Sequence, residues 1–383
     1  MFTGAPVVAG LPVAGLPVTK ELPAAKELPA VRALPDPFTF LGGAKVQGVA
    51  DWPARRRELA ELIQHYAYGY LPAPPDAVRA ELEAGRLTIS VAAGGRRGAF
   101  DVQVTLPPGL GPFPAFIFAG APGGRTAPPL ETFIDRGYAV LRLDTNAIAS
   151  DTHPSRGVFA DLYPGADAGV LMAWAWALHR VVDAAAQVPG LEARRLAVSG
   201  FSRWGKAALL AGALDDRIAL TVPSSSGLSG VGQYRYFYES PADASTRNEK
   251  IGNIIGYAPQ WFTPRFAEFE HTPDRLPFDQ HEVMAMVAPR ALLMSTGKED
   301  HWCNPRGSAL SFRAAQKVFN FLGAPLALGC SWDAAGHELT AKHIGDMLDF
   351  ANLHFAGTTL TRNFQELPDE FTDEPDAHPW QAP

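Results

Sequence analysis

The feature that most restricts the fold is a series of short apolar runs. They are "FPAFIFAG" (113–120), "YAVLRLDT" (138–145), "RRLAVSG" (194–200), "IALTVPSSSG" (218–227), "RALLMSTG" (290–297) and "PLALGCSWD" (325–333). Helical patterns such as "AGVLMAWAWALHRVVDAAA" and "GSALSFRAAQKVFNFLG" separate several of them. Strands buried on both faces read as continuous apolar runs, and parallel neighbours need helical crossovers between them. The expected architecture is therefore a three-layer α/β sandwich: one mostly parallel central sheet with helices on both faces. It is entered through an antiparallel edge, because "RLTISVAAGGRRGAFDVQVTLP" alternates apolar and polar residues around a Gly-Gly turn. "WPARRRELAELIQHYAYGYLP" has helical periodicity stopped by Gly69 and Pro72.

The first 35 residues have another texture. "VAGLPVAGLPVTKELPAAKELPAVRALPDP" repeats small units with a proline in each, which disfavours helix and sheet. Residues 1–35 are expected to be an extended linker, and residues 36–383 a single catalytic domain. No run reaches the roughly 18 apolar residues of a membrane helix. The first lysine is Lys20, too late for the charged start of a signal peptide, so none is expected in this chain. With 47% hydrophobic and 19% charged residues and a net charge of −7, the composition is that of a globular protein with a mildly acidic surface, and no basic cluster suggests a nucleic-acid partner. Cys303 and Cys330 lack C-x-x-C spacing; they read first as small buried apolar groups, with a disulfide as the alternative.

In a parallel sheet, ligands bind beyond the carboxyl ends of the strands, so the residues following each run matter most. Ser202 follows one run and starts the helical pattern "SRWGKAALLAGAL". The turn could expose its hydroxyl as a nucleophile, with the free N–H groups of the first helical turn ready for negative charge. An ordinary serine cap would look the same. The usual elbow, G-x-S-x-G, is also broken here, since Trp204 stands where the second glycine belongs and glycine arrives one place late at Gly205.

Two later runs add what a serine nucleophile needs. "AAGHELT" places His337 just beyond the last run, as a base, and "KEDHWCNP" places Glu299 and Asp300 beyond the run before it. Serine, acid, histidine is the chain order of α/β-hydrolases. Asp300 is the expected acid, because a short side chain orients the histidine more directly, and Glu299 is the alternative. No metal or other cofactor is required, since the candidate ligands His301, Asp300 and His337 are better used in this way.

With these residues in place, the chain resembles the glucuronoyl esterases, carbohydrate esterase family 15, of bacterial type. The family serine motif G-[CH]-S-R-x-G-K-[AG]-A is met by "GFSRWGKAA" at Gly200, Ser202, Arg203, Gly205, Lys206 and Ala208, which accounts for the late glycine. "LPFDQHEVMAMVAPRALL" (276–293), "QWFTPRF" (260–266), "EDHWCNPRG" (299–307) and, more weakly, "YGYLP" and "AWAWALHRVVD" extend the match.

The resemblance implies an α/β-hydrolase fold and hydrolysis of esters that join 4-O-methyl-glucuronic acid of xylan to lignin alcohols. It implies Ser202, His337 and Asp300 as the triad, Arg203 at the oxyanion, and Lys206, Trp302 and Glu249 at the sugar. It also implies a secreted or periplasmic protein, expected to be a monomer without a membrane partner. The chain departs from the family in three places. Ser225 in "PSSSG" stands where fungal members carry their acid, Phe201 replaces the usual cysteine or histidine, and "FAGAPGG" (118–124) leaves the second oxyanion donor open. Two alternatives follow: an acetyl xylan or other carbohydrate acetyl esterase with the same triad, or a carbohydrate-binding protein with a decayed site.

Overall fold

The computed structural model describes residues 22–121, 128–359 and 362–383. Nine strands form one sheet: β1 (Ala77–Glu83), β2 (Arg86–Ala93), β3 (Arg96–Thr105), β4 (Phe113–Gly120), β5 (Ala139–Asp144), β6 (Leu191–Phe201), β7 (Leu220–Ser224), β8 (Ala291–Gly297) and β9 (Leu328–Asp333). Their spatial order is β1-β2-β3-β5-β4-β6-β7-β8-β9. The first three and the β3–β5 pair are antiparallel, and every pair from β5 to β9 is parallel. The six apolar runs are thus the parallel strands, and their carboxyl ends share one rim. β1 has no counterpart among those runs, because it is an edge strand with mostly exposed residues, and its Val78, Ala80 and Leu82 alternate with charged neighbours and form no continuous apolar run.

Alternation along the strands divides the core. Ile117, Leu141, Val198, Leu292 and Leu328 face one helical layer that includes Val170–Ala185 and Arg203–Leu214. Phe116, Val140, Ala197, Val222 and Leu293 face the other, where Ala341–Ala356 contributes Met347, Leu348 and Phe350. No helix among the described residues is long and apolar enough to cross a membrane.

The stretch expected to be a free linker behaves differently from residue 22 onward; residues 1–21 lie outside the described part of the chain. Ala25, Leu28 and Leu34 are buried, and Ala25–Glu27 form a 3-10 turn. Proline denies this segment a ladder, but it leaves carbonyl acceptors that the body satisfies. Pro23 accepts from the Tyr66 hydroxyl at 2.7 Å, and Val31 N–H donates to the Asp274 carbonyl at 2.8 Å. A proline-rich stretch with a leucine in each repeat can therefore dock as a belt instead of extending into solvent.

Candidate active site

β6 and β7 pair in parallel up to Phe201 and Ser224, so the two chains leave the sheet side by side. Ser202 makes the turn between β6 and the helix Arg203–Leu214, with φ +57° and ψ −123°. That left-handed backbone is costly for a residue with a Cβ and persists only where its surroundings hold it. Here the Ser202 N–H donates to the Ser224 carbonyl at 2.8 Å. The glycines explain the spacing of the motif. A Cβ on Gly200 would lie 2.4 Å from the Trp204 carbonyl oxygen, and one on Gly205 would lie 2.9 Å from the Gly200 oxygen and 3.0 Å from the Ser224 oxygen. The helix thus meets the strand end with the Trp204 backbone over Gly200, and it is position 205 that has no room for a side chain. The Trp204 side chain is half-buried against the core, and its indole N–H donates to the buried Thr145 Oγ1 at 2.8 Å.

His337 lies in the loop after β9. That loop is pinned against the end of β8: Glu299 N–H donates to the Ala335 carbonyl at 3.0 Å, and a Cβ on Gly297 would stand 2.1 Å from the Ala335 oxygen. The imidazole Nε2 is 3.0 Å from Ser202 Oγ, and Nδ1 is 2.7 Å from Asp300 Oδ2. Asp300 is buried and holds the histidine, while Glu299 beside it is exposed. The Phe201 ring packs on the imidazole with centroids 4.7 Å apart, so the residue that departs from the family motif forms one wall for the histidine. A base with an acid on one nitrogen and a hydroxyl on the other can draw a proton from that hydroxyl and hold the resulting charge.

Ser225 is buried with φ +41°, and its carbonyl accepts from Cys303 Sγ at 3.3 Å. That sulfur also lies 3.5 Å from His337 Nδ1, so a thiol occupies the side of the histidine facing β7. Cys303 and Cys330 are both free and buried, in agreement with the apolar reading and not with a disulfide. Asp300, Cys303 and His337 form the one group among the described residues whose ligand atoms all lie within 4.8 Å. Burial raises the Cys303 thiol well above its ordinary range, which disfavours the thiolate a metal needs. His301 lies outside this group; its carbonyl accepts from Asn248 Nδ2 at 2.7 Å.

Lys206 is one turn past Ser202 and is buried. Its ammonium donates to the Leu228 carbonyl at 2.5 Å and to Glu249 Oε2 at 3.2 Å, leaving a third N–H for a ligand. Glu249, also buried, accepts on its other oxygen from the Tyr257 hydroxyl, and its backbone N–H donates to the Trp302 carbonyl at 2.9 Å. Burial, then the neighbouring Glu249 charge, raise the Tyr257 phenol. The Trp302 ring is 42% exposed and Tyr257 is 50% exposed. The residues expected at a sugar site are thus gathered, with Tyr257 added. Of "FAGAPGG", Gly120 ends β4 at the same rim, Ala121 follows it, and residues 122–124 lie outside the described part. The Arg203 guanidinium donates to Asp151 Oδ2 at 2.5 Å, a partner 52 residues away that no local pattern announces.

Comparison with known proteins finds the family that the sequence resembles. A family model described as "Glucuronyl esterase, fungi" matches residues 89–323. The 4-O-methyl-glucuronoyl methylesterase of Podospora anserina is 38% identical over 298 residues, covering 76% of this chain; the chain spans 60% of that relative's length. A carbohydrate esterase family 15 glucuronoyl esterase from Caldicellulosiruptor kristjansonii superposes with a TM-score of 0.85 at 34% identity, over 94% of this chain and 99% of the other. A glucuronoyl esterase mutant from Sporotrichum thermophile, solved in complex with methyl 4-O-methyl-beta-D-glucopyranuronate, superposes with a TM-score of 0.78 at 30% identity, over 87% and 90% of the two chains.

Proposed function

The chain belongs to the glucuronoyl esterase family, and from that premise we propose that it hydrolyses esters of 4-O-methyl-glucuronic acid carried on xylan. The observation that carries the proposal is the unbroken line from Ser202 Oγ through His337 to Asp300, at 3.0 and 2.7 Å, beside the buried Lys206–Glu249 pair. His337 takes the proton as Ser202 Oγ attacks the uronate carbonyl, and Asp300 holds the Nδ1–H tautomer and offsets the imidazolium. The tetrahedral oxyanion is met by the backbone N–H and guanidinium of Arg203. Donors placed in advance commonly contribute about 3–4 kcal/mol each. The alcohol leaves with the proton from His337, and water, activated by the same base, then releases the acid and restores Ser202.

Lys206 and Glu249 supply a donor and an acceptor for sugar hydroxyls, and Trp302 offers an exposed ring face to the pyranose. The Sporotrichum thermophile relative bound to a methyl glucuronate ester supports this substrate class. On this reading the protein works outside the cytoplasm, where its polymer is, as a monomer and with no cofactor. An intact hydrogen-bonded triad argues against a decayed binding site. The experiment is a comparison of kcat/KM on benzyl or methyl glucuronate with that on acetylated xylose. A clear preference for the uronate ester is expected, and a preference for the acetate would overturn the assignment.

A further inference from the structure

The first two residues of "QWFTPRF", a stretch that carries the family resemblance but has no part in the chemistry above, converge on a single carboxylate. Asp151, in the loop after β5, accepts from Gln260 Nε2 at 2.9 Å and from the Trp261 indole N–H at 2.6 Å, both on Oδ1. Its Oδ2 accepts from Arg203 Nη1 at 2.5 Å. The Arg203 guanidinium carbon also lies 5.0 Å from the Trp261 ring centroid and 6.0 Å from that of Trp204. Trp204 is in turn held by Thr145, which begins the short helix right after β5. The two segments beyond β5 and at 260–261 thus brace one arginine, on the residue next to Ser202.

From this convergence we infer that Asp151 is a positioning residue for the oxyanion site, with Gln260 and Trp261 as its supports. The Arg203 side chain is 42% exposed, and without an anchor its rotamers would spread into solvent. Asp151 takes one of the five guanidinium N–H groups and leaves the others for the ester oxygen. Its negative charge offsets part of the arginine's, so the gain is in orientation: donors fixed before the charge develops need no reorganisation in the transition state. Gln260 and Trp261 matter because they hold the carboxylate, which at 19% exposure would otherwise also turn to water.

The inference rests on Ser202 esterase chemistry with Arg203 at the oxyanion. The test is a double-mutant cycle on benzyl glucuronate with Asp151→Asn, Arg203→Ala and the pair together, each checked for its unfolding midpoint. Asp151→Asn should lower kcat by about 10- to 100-fold with KM within about threefold, the split expected when an interaction acts mainly in the transition state. Arg203→Ala should lower kcat by about 100- to 1000-fold, and the double variant should be no slower than Arg203→Ala within about twofold. Trp261→Phe, which keeps the ring and removes the N–H, should lower kcat several-fold in wild type and not in the Arg203→Ala background, and so serves if Asp151→Asn folds poorly. Asp151→Asn at wild-type kcat, or an equal loss with and without Arg203, would overturn the inference while leaving the esterase reading intact. Activity surviving in Ser202→Ala would overturn that reading itself.

Discussion

The stretches "GFSRWGKAA" (200–208) and "LPFDQHEV" (276–283) carry the family resemblance equally well, yet they handle their polar groups in opposite ways. In the first, Ser202 sits at positive φ with its hydroxyl turned to an imidazole that is itself 41% exposed. In the second, Leu276 and all of 278–283 are buried, and the polar groups are spent on the protein. Asp279 accepts from Tyr234 N–H at 2.9 Å and from Arg235 at 2.7 Å, Glu282 accepts from Arg55 at 2.8 Å, and His281 meets the Pro35 carbonyl at 2.8 Å. Gln280 Nε2 donates to the Tyr68 and Tyr234 hydroxyls, which ties in "YGYLP". Only Gln280 Oε1 and His281 Nδ1 lack a partner in that stretch. A specific polar motif can thus mark either chemistry or a lock between distant segments. The difference lies in whether its groups retain an open side toward solvent.

The largest expected effects test the open side. Ser202→Ala should lower kcat/KM on a glucuronate ester by about 10⁴-fold or more with the unfolding midpoint unchanged. Asp300→Asn should come close to it, by orders of magnitude in kcat, because the histidine loses its tautomer. Glu299→Gln should stay near wild type, since that residue is exposed and Asp300 occupies His337 Nδ1. The reverse pattern would move the acid to Glu299.

The lock should respond in stability instead of rate. Glu282→Gln replaces a buried carboxyl that accepts from Arg55 Nη2 at 2.8 Å and from the Asp279 N–H at 3.1 Å. Glutamine keeps only one oxygen acceptor, so one of these buried N–H groups loses its partner, at a cost of about 1–3 kcal/mol. Activity per folded molecule should not change. A fall in kcat with the fold intact would erase the distinction between the two stretches.

The pH dependence sharpens this further. Burial outweighs Arg55 and raises the Glu282 carboxyl from 4.5 to about 7. The folded state therefore holds that proton more tightly than the unfolded chain, and the stability it contributes is present below pH 4.5 and lost as pH rises through 7. His281 works the other way: burial lowers it to about 3, so its contribution is present above pH 6.5 and is lost on acidification. The wild-type profile mixes the two, but the gap between wild type and Glu282→Gln isolates the carboxyl. By calorimetry that gap should be widest at pH 4.5 and below and narrow toward pH 8.5; a gap that widens with pH would reverse the assigned direction.

The contrast also explains what could be read from sequence. The parallel strands were legible because they are buried on both faces, and the triad because its members follow β6, β8 and β9 at the rim where such sheets bind ligands. The Asp151–Arg203 pair, 52 residues apart, was not legible, because two polar side chains on separate loops leave no periodicity. The belt at 22–35 was hidden for another reason: proline reports which secondary structure a segment cannot form, not whether it docks. β1 was not legible either, although Val78, Ala80 and Leu82 alternate with Arg79, Glu81 and Glu83, because the run is short and mostly exposed.

The smallest expected effect lies where the open side and its packing meet. Phe201 is buried at the end of β6, with its ring 4.7 Å from the His337 imidazole at an interplanar angle of 55°. An aromatic contact of this kind contributes about 0.5–1.5 kcal/mol beyond the area it buries. Phe201→Leu keeps an apolar side chain of similar reach and removes the ring face. The unfolding free energy should therefore fall by about 1 kcal/mol. The imidazole, already fixed by Asp300 on Nδ1, loses only its side wall, so kcat should fall a few-fold while KM stays the same. Phe201 would then act through the orientation of the base and not through the sugar. A change in KM without a change in kcat would instead place the ring in the substrate's path, and would move Phe201 from the supporting side of the comparison to the side that meets the ligand.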